Sequence, residues 1–172
     1  ALTAANATDT VLVQPGTYTE NIIWPETNGI KLISAGDSSN TIIDGGGTSS
    51  VIYMNPQTAT IDTTTLIQGF KITNGGSVME GAGLYIYNSS PILKELLIKE
   101  NSTLDQYPAC GGGIFISNSN SKILKTTISS NFANMFNSLY VNRENGAGIW
   151  SSNSTLLLNE LNINSNVGNG LF

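Results

Sequence analysis

The chain has 172 residues, a length that suits one domain, and only 11% of them are charged. Its 12 acidic and 7 basic residues give a net charge of −5 at pH 7, which argues against a nucleic-acid partner because such binding needs clustered lysine and arginine. No run approaches the ~18 apolar residues of a membrane span, so no membrane insertion is expected.

Helix signals are confined to the first few residues of the chain. After them come short segments with aliphatic residues at alternate positions, separated by glycine, asparagine and serine; examples are 84–87, 92–94 and 96–98. Alternation with a period of two is typical of strands that turn one face towards a core. The pattern therefore predicts an all-β protein.

A glycine group recurs along the second half of the chain. It reads Gly-Ala-Gly-Leu-Tyr from residue 81, Gly-Gly-Gly-Ile-Phe from 111, Gly-Ala-Gly-Ile-Trp from 146 and Gly-Asn-Gly-Leu-Phe from 168. The spacings differ only through the connections that precede each group. Without those variable residues every interval contains a unit of about 22 residues, a length in the range of solenoid coils.

Two asparagine columns recur within this unit. One column is followed by serine and the other lies thirteen residues further on; the members are Asn88, Asn118, Asn153 and Asn101, Asn131, Asn166. Asparagine tolerates left-handed backbone, and stacked amides can bond to one another, so both columns are predicted at turns. Three short strands per coil, with coils ~4.8 Å apart, predict a parallel β-helix, and the bias of parallel crossovers makes it right-handed.

Two early segments and the later repeat units carry a family resemblance. The segment from Asp9 to Ile22 (DTVLVQPGTYTENI) resembles the first coil of secreted right-handed parallel β-helix proteins of the pectate-lyase-like superfamily. The TIIDGG segment from Thr41 resembles their second or third coil. The later Gly-x-Gly-[Leu/Ile] and Ile-x-x-Asn units resemble repeats of bacterial surface β-helix proteins and of chlamydial polymorphic membrane proteins.

The resemblance implies a destination outside the cell or on a bacterial cell surface. It also implies that residues 1–172 are one β-helix domain cut from a longer solenoid. On this interpretation residues 1–8 are the remnant of an N-terminal helical cap, and the chain stops in mid-coil. The fold does not imply one activity, because it hosts lyases, hydrolases, epimerases, adhesins and plain stalks.

An aromatic column is the first candidate site. Its members directly follow inward aliphatic residues and are therefore expected to point outward; they are Tyr85, Phe115, Trp150 and Phe172. An outward aromatic strip suits sugar rings through CH–π contact. The plainer interpretations are a stack that only stabilises the coils, at ~0.2–1 kcal/mol per pair, or a strip that the long loops cover.

A loop face is the second candidate. The variable connections 75–80, 102–110 and 132–145 are expected to leave one edge of the solenoid, where binding surfaces often lie. They carry Glu80, Asp105, Gln106, Tyr107, Asn134, Tyr140, Asn142, Arg143 and Glu144. Of these, Tyr107, Tyr140 and Arg143 join the aromatic column as expected ligand-binding residues. Tolerated insertion at exposed turns is an equally good explanation of the loops.

Catalysis has weaker support in the sequence. Asp44, Asp62 and Arg143 are the candidates, but neither aspartate lies in a carboxylate cluster, and the chain has no histidine. No metal and no cofactor are expected, although a uronate lyase of this fold would add Ca²⁺. A column of alternating charge, Glu95, Lys125 and Glu160, predicts an ion-pair ladder on the surface.

These patterns favour a non-catalytic extracellular or cell-surface repeat module that serves as stalk, adhesin or carbohydrate-binding surface. Its expected partner is a polysaccharide or a cell-surface glycan. One alternative is a polysaccharide lyase or glycoside hydrolase of the pectate-lyase-like superfamily. Another is a structural subunit that self-associates through uncapped β-helix ends, whose strand edges are unpaired.

Overall fold

The computed structural model of the chain describes residues 1–104, 109–133 and 146–168, and these form a right-handed parallel β-helix. In each coil the chain passes through three sheets in turn, here called A, B and C. Every strand pairs in parallel with the equivalent strand of the neighbouring coil. The predicted architecture of three short strands per coil is confirmed.

The strands of each sheet follow one another in chain order. Sheet A contains β1 (Thr10–Val13), β4 (Lys31–Ser34), β7 (Leu66–Gln68), β10 (Ile92–Lys94), β13 (Lys122–Leu124) and β17 (Leu157–Asn159). Sheet B contains β2 (Gly16–Thr19), β5 (Thr41–Asp44), β8 (Lys71–Thr73), β11 (Leu97–Lys99), β14 (Thr127–Ser129) and β18 (Asn162–Asn164). Sheet C contains β3 (Ile22–Ile23), β6 (Ile52–Met54), β9 (Leu84–Tyr87), β12 (Ile114–Ser117) and β16 (Ile149–Ser152). A small separate pair joins β15 (Phe132–Ala133) to β19 (Val167–Gly168).

The core is a set of aliphatic columns, because alternate residues of each strand point inward. In sheet B, for example, Ile72, Ile98 and Ile128 are register partners and are fully buried. Burying one such side chain stabilises the fold by ~1.5–3 kcal/mol relative to leaving it exposed. A single coil cannot bury its own aliphatic residues, so stability depends on the stacking of coils.

The first asparagine column lies at the corner after sheet C and has the expected left-handed backbone, with φ of +50° at Asn88 and +51° at Asn118. The second column differs from the prediction. Its members follow sheet B, but the left-handed residue there is the preceding one, such as Glu100 at +59°. The asparagines themselves turn inward: Asn101 is fully buried and donates from Nδ2 to Asn131 Oδ1 at 2.9 Å. They form an internal amide ladder.

The corners differ in length from coil to coil. Sheet A leads to sheet B through two residues in most coils, but through six, 35–40, in the second coil. Connections 74–83 and 100–113 and the segment 130–148 lead from sheet B to sheet C, so the predicted loops do leave one edge. The early coils break that rule, because 35–40 and 55–65 leave the other two edges. The sequence pattern did not predict these two early connections, since the aligned repeat covers only the second half of the chain.

The chain begins with a short 3-10 helix, Leu2–Ala4, at the end of the rod that carries the first coil. Leu2 and Ala5 pack against the core. A cavity of about 390 Å³ lies beside this segment, and its aliphatic lining includes Val11, Ile22 and Leu32. The segment thus covers part of the open end of the aliphatic columns.

Candidate functional site

An aromatic ladder runs along the outside of sheet C. Its rungs are Tyr53, Tyr85, Phe115 and Trp150, which are successive register partners. Neighbouring ring centroids are 4.8, 4.8 and 4.6 Å apart, and the rings are parallel within 14°. The strand spacing of a β-sheet sets this distance, so residues placed in one column stack without adjustment.

The sequence pattern missed the first rung. Tyr53 lies in an early coil where no glycine group precedes it, yet it stands between Ile52 and Met54, which are both fully buried. The same inward–outward–inward triplet surrounds Tyr85. Aligning the coils by their aliphatic triplets, and not by their glycines, would have found Tyr53.

The rungs of the ladder differ in exposure. Phe115, which lies between two other rings, is only 4% exposed, whereas Tyr53, Tyr85 and Trp150 are partly exposed. Ring faces point along the rod towards one another, so solvent reaches mainly the ring edges. Burial, and after it the negative charge of Glu80, raise the pKa of Tyr85 to about 12. The phenol therefore stays protonated and can act as a hydrogen-bond donor.

Glycines permit the tight turns that lead into the strands of the ladder. A Cβ on Gly81 would lie 2.7 Å from the Cα of Tyr85, and one on Gly111 would lie 2.9 Å from the Cα of Phe115. Both glycines also have left-handed backbone, with φ of +62° and +64°. The glycine groups that marked the repeat are therefore the points where the chain turns tightly into the strands that carry the aromatic ladder.

Several predicted site residues lie outside the described part of the chain. They are Asp105, Gln106, Tyr107, Asn134, Tyr140, Asn142, Arg143, Glu144 and Phe172. Of the residues predicted for the loop face, the structure describes Glu80. Its backbone forms an isolated parallel β-bridge with that of Cys110 beside the ladder. The structure therefore brings Tyr85, Phe115 and Trp150 together and adds Tyr53 to them.

The two candidate catalytic aspartates make local turn contacts. Asp44 Oδ1 accepts from the Gly46 amide at 2.9 Å and from Asn74 Nδ2 at 2.8 Å. Asp62 Oδ1 accepts from the amide and the hydroxyl of Thr64 at 2.8 and 2.6 Å, and these donors lower the pKa of Asp62. These contacts are typical of turn-stabilising aspartates.

The predicted ion-pair ladder is not formed. Within the described ranges, Glu95 is not paired with Lys125: it accepts from Gln68 Nε2 at 2.7 Å and lies 3.5 Å from Lys94 Nζ. The groups that Glu95 contacts instead are Lys94 on the same coil and Gln68 on the preceding coil. Lys125 lies at an exposed corner. An ion cluster exists instead on sheet B, where Lys71 and Lys99 approach Glu100 at 3.6 and 2.8 Å.

Residues 1–104, 109–133 and 146–168 contain no group of three or more histidine, cysteine, aspartate or glutamate side chains that could hold a metal ion. Over the same residues, no helix has the length and apolar character needed to cross a membrane. Cys110, the single cysteine of the sequence, is buried.

Comparisons with known proteins identify no relative of the chain. No family model matches the chain, and neither the curated proteins nor the solved structures include a significant match.

Proposed function

We propose that the chain is a non-catalytic β-helix module of an extracellular or cell-surface protein, which serves as stalk or adhesin and carries a carbohydrate-binding surface along sheet C. The observation that supports the proposal most strongly is the aromatic ladder on the outside of a regular rod. An aliphatic column at those positions would be enough to stack the coils. Tyrosine and tryptophan combine an apolar ring with a polar tip, which suits contact with sugars.

The chemistry of the ladder favours recognition along its edge. Tyrosine hydroxyls donate and accept hydrogen bonds, and the indole N–H donates. Beside the ladder, the partly exposed Tyr87 adds a hydroxyl group, whereas its register partner Ser117 is buried. Sugar hydroxyls can bond to these groups, and C–H groups of a sugar can lie against the ring edges.

The composition supports a destination outside the cell. The chain owes its near-zero mean hydropathy of +0.01 to neutral polar residues, since only 11% of its residues are charged. A rod of stacked coils with a single cysteine can fold without disulfides and is suited to project a surface away from an anchor.

A binding assay with immobilised polysaccharides tests the proposal. The intact protein is applied to pectin, alginate and a panel of neutral glycans, and the affinities are compared with those of Trp150→Ala. We expect the variant to lose about two- to tenfold in affinity for any glycan that is bound, since an aromatic contact is worth ~0.5–1.5 kcal/mol. Leu157→Ala is the matched control, because Leu157 lies in the same coil on another face and is 53% exposed.

Unchanged affinity of Trp150→Ala for every polysaccharide would refute sugar binding by the ladder. The enzymatic alternative, a polysaccharide lyase or glycoside hydrolase, is tested on the same substrates with and without Ca²⁺. The products are monitored by the ultraviolet absorbance of unsaturated uronates and by new reducing ends. Turnover that depends on Asp44, Asp62 or Arg143 would overturn the non-catalytic proposal.

A further inference from the structure

One corner of the β-helix carries an insertion that encloses a polar groove. Residues 35–40 replace the usual two-residue connection between sheets A and B. They overhang the same corner of the next three coils, and the groove beneath them has a volume of about 490 Å³. Its polar lining includes Asp37, Ser38, Gln68, Glu95, Lys125 and Thr127.

The overhanging loop is held by its own hydrogen bonds. Ser34 Oγ donates to Thr41 Oγ1 at 2.6 Å across its base, and the Gly36 amide donates to Ser34 Oγ at 2.9 Å. At its tip, Asp37 Oδ1 accepts from the amide and the hydroxyl of Ser39 at 2.7 and 2.5 Å. A loop fixed in this way loses little conformational freedom when a ligand binds.

The other wall of the groove is a column of left-handed corner residues. Gly69, Glu95 and Lys125 follow one another in successive coils with φ of +83°, +53° and +50°. Glycine at the first position keeps the groove open beside the loop. Glu95 Oε2 is fixed by Gln68 Nε2 at 2.7 Å, whereas the described residues provide no hydrogen bond or ion pair for the Lys125 ammonium group.

The groove therefore combines hydrogen-bond acceptors, the carboxylates of Asp37 and Glu95, with a donor, the ammonium group of Lys125. The hydroxyl and then the amide of Ser39 lower the pKa of Asp37, so its carboxylate is ionised at neutral pH. The carboxylates of Asp37 and Glu95 would repel a polyanion, and the ammonium group of Lys125 would repel a polycation. Hydroxyl groups both donate and accept, so they can bond to carboxylates and to an ammonium group at the same time.

We propose that this groove binds a neutral saccharide whose hydroxyls donate to Asp37 and Glu95 and accept from Lys125. Leu97, which also lines the groove, offers apolar contact to the C–H face of the sugar ring. The site lies at the corner between sheets A and B, separate from the aromatic ladder, and does not depend on the function proposed for sheet C.

An NMR titration tests the proposal directly. The ¹⁵N-labelled protein is titrated with the methyl glycosides of glucose, galactose, mannose and N-acetylglucosamine, and with glucuronate as the anionic comparison. We expect at least one neutral glycoside to shift the amide signals of residues 36–39, 68–69, 95–97 and 125–127, with saturation in the millimolar range.

Variants identify the groups that bind. Glu95→Gln should weaken the titrated glycoside about tenfold, because a charge-assisted hydrogen bond becomes a neutral one. Glu160→Gln is the matched control, since Glu160 occupies the same corner column with the same φ of +53° but lies outside the groove. Ser38→Tyr places a ring in the groove and should abolish the shifts, while a dispersed spectrum verifies that each variant is folded.

Three results would overturn the proposal. The first is the absence of shifts at the groove with all four neutral glycosides. The second is binding of glucuronate in preference to every neutral glycoside. The third is an equal effect of Glu95→Gln and Glu160→Gln. Shifts confined to residues of sheet C are a case of the first result, but they would agree with sugar binding by the aromatic ladder, so the two proposals fail separately.

Discussion

The side-chain amide of Asn131 connects the coils on either side of it. Its Nδ2 group donates to the Ile98 carbonyl at 3.0 Å and to Asn166 Oδ1 at 2.9 Å. Its Oδ1 atom accepts from the amide and from Nδ2 of Asn101 at 3.2 and 2.9 Å. Because Asn131 is only 1% exposed, water cannot replace these bonds.

Asn131→Ala should therefore lower the free energy of unfolding by about 3 kcal/mol, since several buried polar groups lose their partner. Urea denaturation followed by circular dichroism measures the effect. Asn120→Ala is the control, because Asn120 is an exposed residue of the same coil. Equal losses of stability in the two variants would contradict a structural role for the buried amide ladder.

Glu26 makes the stability of one loop depend on pH. Its carboxylate accepts from the amides of Gln57, Thr58 and Ala59 at 2.7, 3.0 and 2.9 Å. These donors, and the Thr58 hydroxyl, lower the pKa of Glu26 from 4.5 to about 2. A lowered pKa in the folded state means that the contribution is complete above pH 4.5 and is lost as the pH falls towards 2.

We expect Glu26→Gln to melt at a lower temperature than the unchanged protein at neutral pH, and this difference should shrink between pH 4.5 and 2. Melting temperatures across this range measure the effect, with Glu160→Gln as the exposed control. A difference that stays constant with pH would show that the carboxylate charge does not hold the loop.

At the scale of the elements, glycines let each strand of sheet C begin close to its neighbours. A Cβ on Gly113 would lie 2.5 Å from the Gly148 carbonyl oxygen and 3.0 Å from Asn131 Nδ2. Both contacts are with atoms that are already fixed by hydrogen bonds between coils. A side chain at this position would therefore separate the coils.

Gly113→Ala should destabilise the protein by about 2–3 kcal/mol, within the range of overpacked core positions. Gly16→Ala serves as the comparison, because its Cβ would meet only the Tyr18 ring at 3.5 Å, an ordinary contact. Chemical denaturation of both variants measures the difference. Similar stability of the two variants would mean that the coils can separate at little cost.

The described coils form a rod in which the first and last strands of each main sheet pair with a neighbouring coil on one side only. In the last described coil, Leu158 and Ile163 occupy core columns but are 48% and 49% exposed, whereas their register partners Ile123 and Ile128 are fully buried. Exposed strand edges beside exposed aliphatic residues favour association. We therefore expect the polypeptide to associate end to end at high concentration.

Sedimentation velocity over a concentration series tests this expectation. Leu158→Glu should shift the protein towards monomers, because it places a charge in the aliphatic contact. Leu157→Glu, on the outer face of the same strand, should leave association unchanged. Monomers at every concentration of the unchanged protein would rule out the self-associating alternative.

The sequence predicted the fold well because the constraints are local and repeated. Alternating aliphatic residues at a constant unit length predict stacked strands, and the columns of Ile98 and Ile128 appear where the pattern places them. Corner chemistry was harder to predict. The pattern aligned Glu95 with Lys125, but side-chain reach and competing partners such as Gln68 decide which groups pair.

The sequence by itself determined the solenoid, its three strands per coil, the outward aromatic column and the stacking of asparagines, because each follows from a period along the chain. Only the tertiary structure showed that the rings turn their faces to one another, that Asn101 turns inward, and that residues 35–40 enclose a groove with the corners of later coils. Those features depend on distances between residues of different coils, and a periodic pattern does not specify such distances.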